Sequence, residues 1–109
     1  MEFLVKFEIN IPEGTLQSEV QTREHAEAVA VAELADRGHV VRIWRLRGVD
    51  ATTSALGLYR ADTETELEGL LRALPMYGWM RVTITRLEPH PNDPAARQPT
   101  TARAGGSRQ

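Results

Sequence analysis

Apolar residues recur along this chain with two different periods, and the order in which those periods alternate restricts the fold more than any other feature. Phe3, Val5, Phe7 and Ile9 alternate with Leu4, Lys6 and Glu8, the period-two pattern of a strand with one buried face. Ile11-Pro12-Glu13-Gly14 ends it, because proline removes a ladder donor and glycine frees a turn. From Ser18 to Arg37 the chain is rich in alanine and glutamate, which predicts a long helix. Ser18 and Gln21 have capping-box spacing at its start, and Gly38 is placed to close its end. Residues 40–47 and 53–59 then read as a hairpin around a turn at Gly48-Val49-Asp50. Thr63 and Glu66 form a second capping box, and Leu67, Leu70, Leu71 and Leu74 make an apolar stripe at helical spacing that Pro75 stops. Met80, Val82 and Ile84 alternate with Arg81, Thr83 and Thr85 as a fourth strand.

The order β-α-β-β-α-β is the split, ferredoxin-like arrangement. It predicts an α+β fold with an antiparallel sheet and two helices on one face. The other sheet face then needs a cover, and a second copy of the chain is the expected one, so a homo-oligomer is anticipated. At 109 residues there is room for one domain. Its expected bounds are residues 1–92. Residues 93–109 mix proline and glycine with polar side chains and read as a tail.

Several function classes are disfavoured by what is missing. There is no cysteine, which removes disulfides, thiolate nucleophiles and cysteine-based zinc sites. The formal net charge of −2 is spread without a basic block, so a nucleic-acid partner is not expected. No apolar run approaches the roughly 20 residues of a membrane span, and no signal segment is visible, which predicts a cytoplasmic protein. His25, His39 and His90 lack metal-ligand spacing. Neither a phosphate-cradling glycine loop nor a Gly-x-Ser-x-Gly elbow is present. No metal or other cofactor is therefore expected, and what remains is acid–base chemistry by carboxylates with arginines, or no chemistry.

The first helix carries the residues suited to it. Val20, Val31, Leu34 and Ala35 fall on one stripe, and Glu24 and Glu27 lie on that stripe one turn apart. A carboxylate on a core-facing stripe is costly unless it is paired or faces a cavity. Two of them together raise the proton affinity of one, which suits a general base near neutral pH. The plainer account makes both ordinary surface acids. On the second strand Trp44 reads as core or subunit-interface filler. Arg45, in line with Val41, Ile43 and Arg47, is suited to holding a substrate carboxylate, or is a surface arginine beside a sheet edge.

These residues, taken in order, resemble the muconolactone isomerase family and its chloromuconolactone-dehalogenase relatives. The likeness lies in Ile11-Pro12, in Glu27, and in Gly38 followed by Trp44-Arg45 and Gly48. It continues through Leu74-Pro75-Met76-Tyr77-Gly78-Trp79-Met80 and His90-Pro91, covering about residues 1–92. The resemblance implies a ring-like homo-oligomer, commonly a decamer, with pockets near subunit contacts. It also implies a cofactor-free proton shift in an unsaturated lactone, with Glu27 as the proton shuttle and Arg45 as a candidate anchor for an anionic group. Glu24 stands where the family has lysine, and Ala28 where it has another basic residue; Asp50 and Thr52 replace its tyrosine and asparagine. A lysine would attract an anionic substrate and a glutamate would not. Arg23 can substitute for that lysine only by reaching inward, though it sits about 100° round the helix. Trp44 and Arg23 join Arg45 as candidate substrate-binding residues, and Glu24 joins Glu27 as a candidate catalytic one. Alternatives remain open: a same-fold isomerase or cyclase for a different lactone, enol or polyketide-like ring, a cofactor-free monooxygenase, or a non-catalytic ligand-binding oligomer.

Overall fold

The computed structural model describes residues 1–47 and 53–97. The expected turn at Gly48-Val49-Asp50, together with Thr52 and residues 98–109 of the expected tail, lies outside the described residues. Six main elements follow the anticipated order. They are β1 (Glu2–Ile9), α1 (Gln17–Asp36), β2 (Val40–Leu46), β3 (Thr53–Arg60), α2 (Glu64–Arg72) and β4 (Met80–Leu87). Short 3-10 turns occupy Tyr77–Trp79 and Pro94–Arg97.

The sheet runs β2-β3-β1-β4 with every neighbouring pair antiparallel. Odd-numbered residues of β1 face the helices: Phe3, Val5 and Phe7 are buried with Leu34 of α1 and Leu67 and Leu71 of α2. Both helices therefore cover one face. The opposite face carries Leu4, Trp44, Leu56 and Leu58, which stand on the even-numbered rows of their strands and, among the described residues, have no helix above them.

The ends of the helices follow local chemistry, with one departure from expectation. α2 starts at Thr63, whose hydroxyl accepts from the Glu66 N–H at 3.0 Å, while the Glu66 carboxylate accepts from the Asp62 N–H at 2.8 Å. α1 closes at Gly38, with φ of +84°, where the Gly38 and His39 N–H groups donate to the Ala35 and Leu34 carbonyls. This is the bonding of a Schellman motif, and the left-handed φ explains the glycine. The Ser18–Gln21 capping box does not form. The helix begins two residues earlier, with Leu16 as its uncapped first flank, and the Ser18 carbonyl instead accepts from the Thr22 hydroxyl at 2.9 Å.

A second departure lies in β2. Val40 pairs with Tyr59 but Arg42 pairs with Leu58, so a bulge at Val41 resets the alternation. Val40 rather than Val41 packs on the core. Beyond the bulge, Ile43 stands opposite Gly57 and Arg45 opposite Ala55, on the helix-facing side, while Trp44 stands opposite Leu56 on the open side. β2 is an edge strand, and Val41, Ile43 and Trp44 are all exposed.

Candidate active site

Between α1 and the sheet lies a hollow of about 170 Å3, walled by Phe7, Ile9, Val31, Ile43, Ala55, Tyr59, Met76 and Met80. Among the described residues Glu27 is the one acid that lines it. The carboxylate reaches this place because Val20, Arg23, Glu27, Ala30, Val31 and Leu34 form the inward stripe of α1, where each is at least half-buried. Sequence spacing alone admits a neighbouring stripe through Glu24, since positions three and four apart serve equally. The structure selects the one through Arg23. Glu24 is exposed, and so is Ala35, contrary to the expectation that both share the buried row. The choice has a visible cause: the segment between α2 and β4 offers Arg23 partners and offers Glu24 none.

Glu27 is held from that same segment. The Met76 backbone N–H donates to Glu27 Oε1 at 3.0 Å, and among the described residues no donor meets Oε2. Loss of water inside apolar walls pushes the Glu27 pKa above its ordinary value, and the Met76 N–H pulls against that shift. Tyr59 on β3 is almost fully enclosed and keeps its proton. Burial first, and the neighbouring Glu27 charge second, push its pKa up to about 12. A carboxyl group with raised proton affinity, and with one oxygen that meets no donor among the described residues, is equipped in this apolar hollow to take and return a proton.

The other candidate residues take separate positions. The Arg23 guanidinium lies outside the hollow, 4.5 Å from the centre of the Trp79 ring, 3.5 Å from the Glu19 carboxylate and 3.4 Å from the Pro75 carbonyl oxygen. Arg45 is exposed on the pocket-facing side of β2, two residues beyond Ile43 and one pair along from the wall. That spacing sets it at the rim, about 7 Å along the strand. Trp44 projects from the opposite sheet face, where the Arg42 guanidinium lies 5.1 Å from its ring centre. It cannot share a cavity with Glu27 inside one chain.

Three contributors escaped sequence reasoning. The Met76 N–H is a main-chain group and leaves no side-chain trace. Tyr59 reads from sequence only as the end of a strand. Gly57 carries a usable signal, since a glycine inside a strand marks a close approach. A Cβ there would fall 2.4 Å from Tyr59 Cε1. The missing side chain makes room for the ring that floors the hollow.

A roomier depression of about 370 Å3 lies by Glu2, Leu87, Glu88, Pro89, His90 and Asp93. Its Glu2 carboxylate is already paired with Arg60 at 3.0 Å, and among the described residues no cluster of acids and histidines is arranged to hold a metal ion. Nor is any described helix long and apolar enough to cross a membrane.

The comparisons with known proteins bear on the family and the fold. The sequence profile of the family described as muconolactone delta-isomerase matches residues 1–93. Muconolactone Delta-isomerase 1 of Acinetobacter lwoffii is 32% identical over 95 residues, covering 84% of this chain and 93% of that protein. Muconolactone Delta-isomerase of Acinetobacter baylyi is 25% identical over 92 residues, with the same coverage of both chains. Among solved structures, a muconolactone isomerase superposes with a TM-score of 0.74 at 20% identity, covering 86% of this chain and 95% of that one. The 5-chloro-2-hydroxyhydroquinone dehydrochlorinase of Burkholderia phenoliruptrix, complexed with 2,5-dihydroxybenzoquinone, superposes with a TM-score of 0.59 at 15% identity, covering 81% of this chain and 94% of that one. At those identities the two structures speak for the fold.

Proposed function

The chain belongs to the muconolactone delta-isomerase family, and from that premise we propose that Glu27 carries a cofactor-free proton shift that moves the double bond of a muconolactone-like lactone. It is an isomerase, an enzyme of small-molecule substrates. In the proposed step the Glu27 carboxylate removes the γ-proton of an α,β-unsaturated lactone. The electron pair of that C–H bond moves into the ring and charge gathers on the carbonyl oxygen as a dienolate. The same carboxyl returns the proton at the α-carbon, leaving the double bond at β,γ. No atom or electron is gained or lost, so no cofactor is required.

The observation that carries this reading is the Glu27 carboxylate in an apolar hollow, tied by one oxygen and open at the other. Low local polarity raises its basicity, and the apolar walls suit an unsaturated ring. Tyr59, neutral through the physiological range, adds no competing charge. Arg45 at the rim is the proposed anchor for a carboxylate arm. Trp44 and Glu24 do not reach this hollow, so any substrate contact of theirs would be with a ligand bound to another copy. Self-association, in a ring as large as a decamer, is part of the proposal and is supported by the uncovered Leu4, Trp44, Leu56 and Leu58 face. The decamer would weigh ten times the 12.2 kDa chain. A cytoplasmic setting is proposed with it.

A second reading keeps the chemistry and changes the substrate to an uncharged lactone, enol or polyketide-like ring. One observation favours it: among the described residues no cationic side chain lines the hollow. The two readings separate in one experiment, with muconolactone and the uncharged, α,β-unsaturated β-angelica lactone offered to the purified chain and the conjugated double bond followed by ultraviolet absorbance. Turnover of muconolactone supports the first, and turnover of β-angelica lactone alone supports the second. Turnover of neither sinks both as stated.

A further inference from the structure

Two side chains of α1 meet the same peptide unit of a distant segment. Pro75 contributes its carbonyl oxygen, 3.4 Å from Arg23 Nη1, and Met76 contributes its N–H, 3.0 Å from Glu27 Oε1. These are the two polar ends of one amide plane. In a trans peptide the C=O and N–H point in opposite directions, and among the described residues no peptide bond is cis. Arg23 and Glu27 are one helical turn apart on the same face. The Pro75–Met76 amide therefore lies between them, with its negative end toward the cation and its positive end toward the carboxylate. We propose that Arg23 is a positioning residue, and that by gripping the Pro75 carbonyl it fixes the amide that aims the Glu27 carboxylate into the hollow.

The arrangement is built to hold still. The guanidinium is itself held from two other sides, by the Glu19 carboxylate at 3.5 Å and by the Trp79 ring at 4.5 Å. Glutamate four residues N-terminal to a cation is the favourable orientation for a helical pair. Trp79 and Met76 are buried together with Val20 in a small cluster of their own, apart from the main core. The Trp79 carbonyl accepts from the Asn10 N–H at 2.7 Å, which ties this segment to the end of β1. A cation on the carbonyl end of an amide polarises it and strengthens its N–H as a donor. Arg23 so acts on Glu27 through three bonded atoms of a neighbouring backbone, without touching the substrate space.

This inference rests on the reading of Glu27 as proton shuttle, and its test includes a readout independent of turnover. The other groups that face Glu27 are few. Tyr59 approaches from β3, Arg45 stands at the rim on β2, Glu24 is exposed on α1 itself, and Phe7, Ile9 and Met80 from β1 and β4 carry no charge. Removing Arg23 leaves the carboxylate with a weaker donor, so the acid limb of kcat/KM should move to higher pH.

The test compares Arg23→Met and Arg23→Lys with the parent protein. The methionine keeps an apolar stem over Trp79 and loses the donor. It should lower kcat by roughly ten- to a hundredfold through misaim of the base, with KM changed less than about threefold because Arg23 does not line the hollow. The acid limb should shift upward, and the Met76 amide should exchange its hydrogen at least about tenfold faster. The lysine keeps a cation within reach of the carbonyl and should return all three readouts to within about threefold of the parent. Kinetics are read with muconolactone and β-angelica lactone, whereas Met76 exchange needs no substrate. A lysine variant as impaired as the methionine one overturns the proposal, as does a methionine variant with parental kcat, pH limb and Met76 exchange. If the methionine variant does not fold, the lysine variant decides alone. Inactivity of the parent toward both lactones would strike the Glu27 reading and leave the exchange result to judge Arg23.

Discussion

Replacing Glu27 by alanine and, separately, by glutamine should divide its structural role from its charge. Alanine removes the acceptor of the Met76 N–H, a 3.0 Å bond to a residue only 4% exposed. A buried donor left without a partner costs about 1–3 kcal/mol. The alanine variant also gives up a desolvated carboxylate, which offsets part of that cost, and the hollow already beside Glu27 limits any new cavity. The net loss should be about 1–2 kcal/mol, or roughly 4–15 °C in Tm for a domain of this size. Glutamine keeps a carbonyl oxygen in the same place, so near pH 5 its stability should stay within about 0.5 kcal/mol of the parent. The two variants should also diverge with pH. Because the folded-state pKa of Glu27 is raised above 4.5, the folded protein holds this proton after the unfolded chain has released it. Parent stability is thus full below the unfolded value and declines as pH rises through the folded one. The glutamine variant has no such proton and should gain on the parent over that window. Urea melts followed by tryptophan fluorescence at several pH values measure both effects. An alanine variant as stable as the glutamine one, or a parent that gains on the glutamine variant as pH rises, would refute the reasoning.

Three further outcomes are expected. Gly57→Ala drives a methyl into the Tyr59 ring, 2.4 Å from Cε1; it should cost about 1–3 kcal/mol and raise KM as the ring is pushed into the hollow, visible in parallel melts and kinetics. Arg45→Ala should weaken muconolactone binding by about tenfold or more while leaving β-angelica lactone within about twofold, read by titration; equal effects on both would remove Arg45 as a carboxylate anchor. Thr63→Ala should lose the 3.0 Å cap of α2 and about 1 kcal/mol in urea melts, with kcat unchanged.

The fold was legible because its signals were redundant. Phe3, Val5 and Phe7 alternate cleanly, Thr63 and Glu66 form a cap that exists, and Gly38 closes α1 through a left-handed φ that few other residues adopt. What escaped was whatever depends on partners far along the chain. The rows through Glu24 and through Arg23 fit helical spacing equally, and only Pro75 and Trp79, some fifty residues on, decide between them. A bulge at Val41 shifted Val40 into the core, although alternation had pointed to Val41. Glu27 was visible as an acid on a buried row, yet its restraint comes from a main-chain N–H, which no residue type announces. Trp44, read both as filler and as a candidate substrate-binding residue, stands on the sheet face opposite to Arg45, as strand alternation predicts.

The most direct test is deuterium uptake from heavy water into β-angelica lactone and muconolactone, followed by nuclear magnetic resonance with the parent protein and with Glu27→Gln. A carboxyl that carries the proton must exchange it with solvent in some turnovers, so the parent should deuterate the α- or γ-carbon of at least one lactone. The glutamine variant, folded as the melts would establish, should slow that uptake by about a hundredfold or more. Uptake by Glu27→Gln at the parental rate would contradict the account.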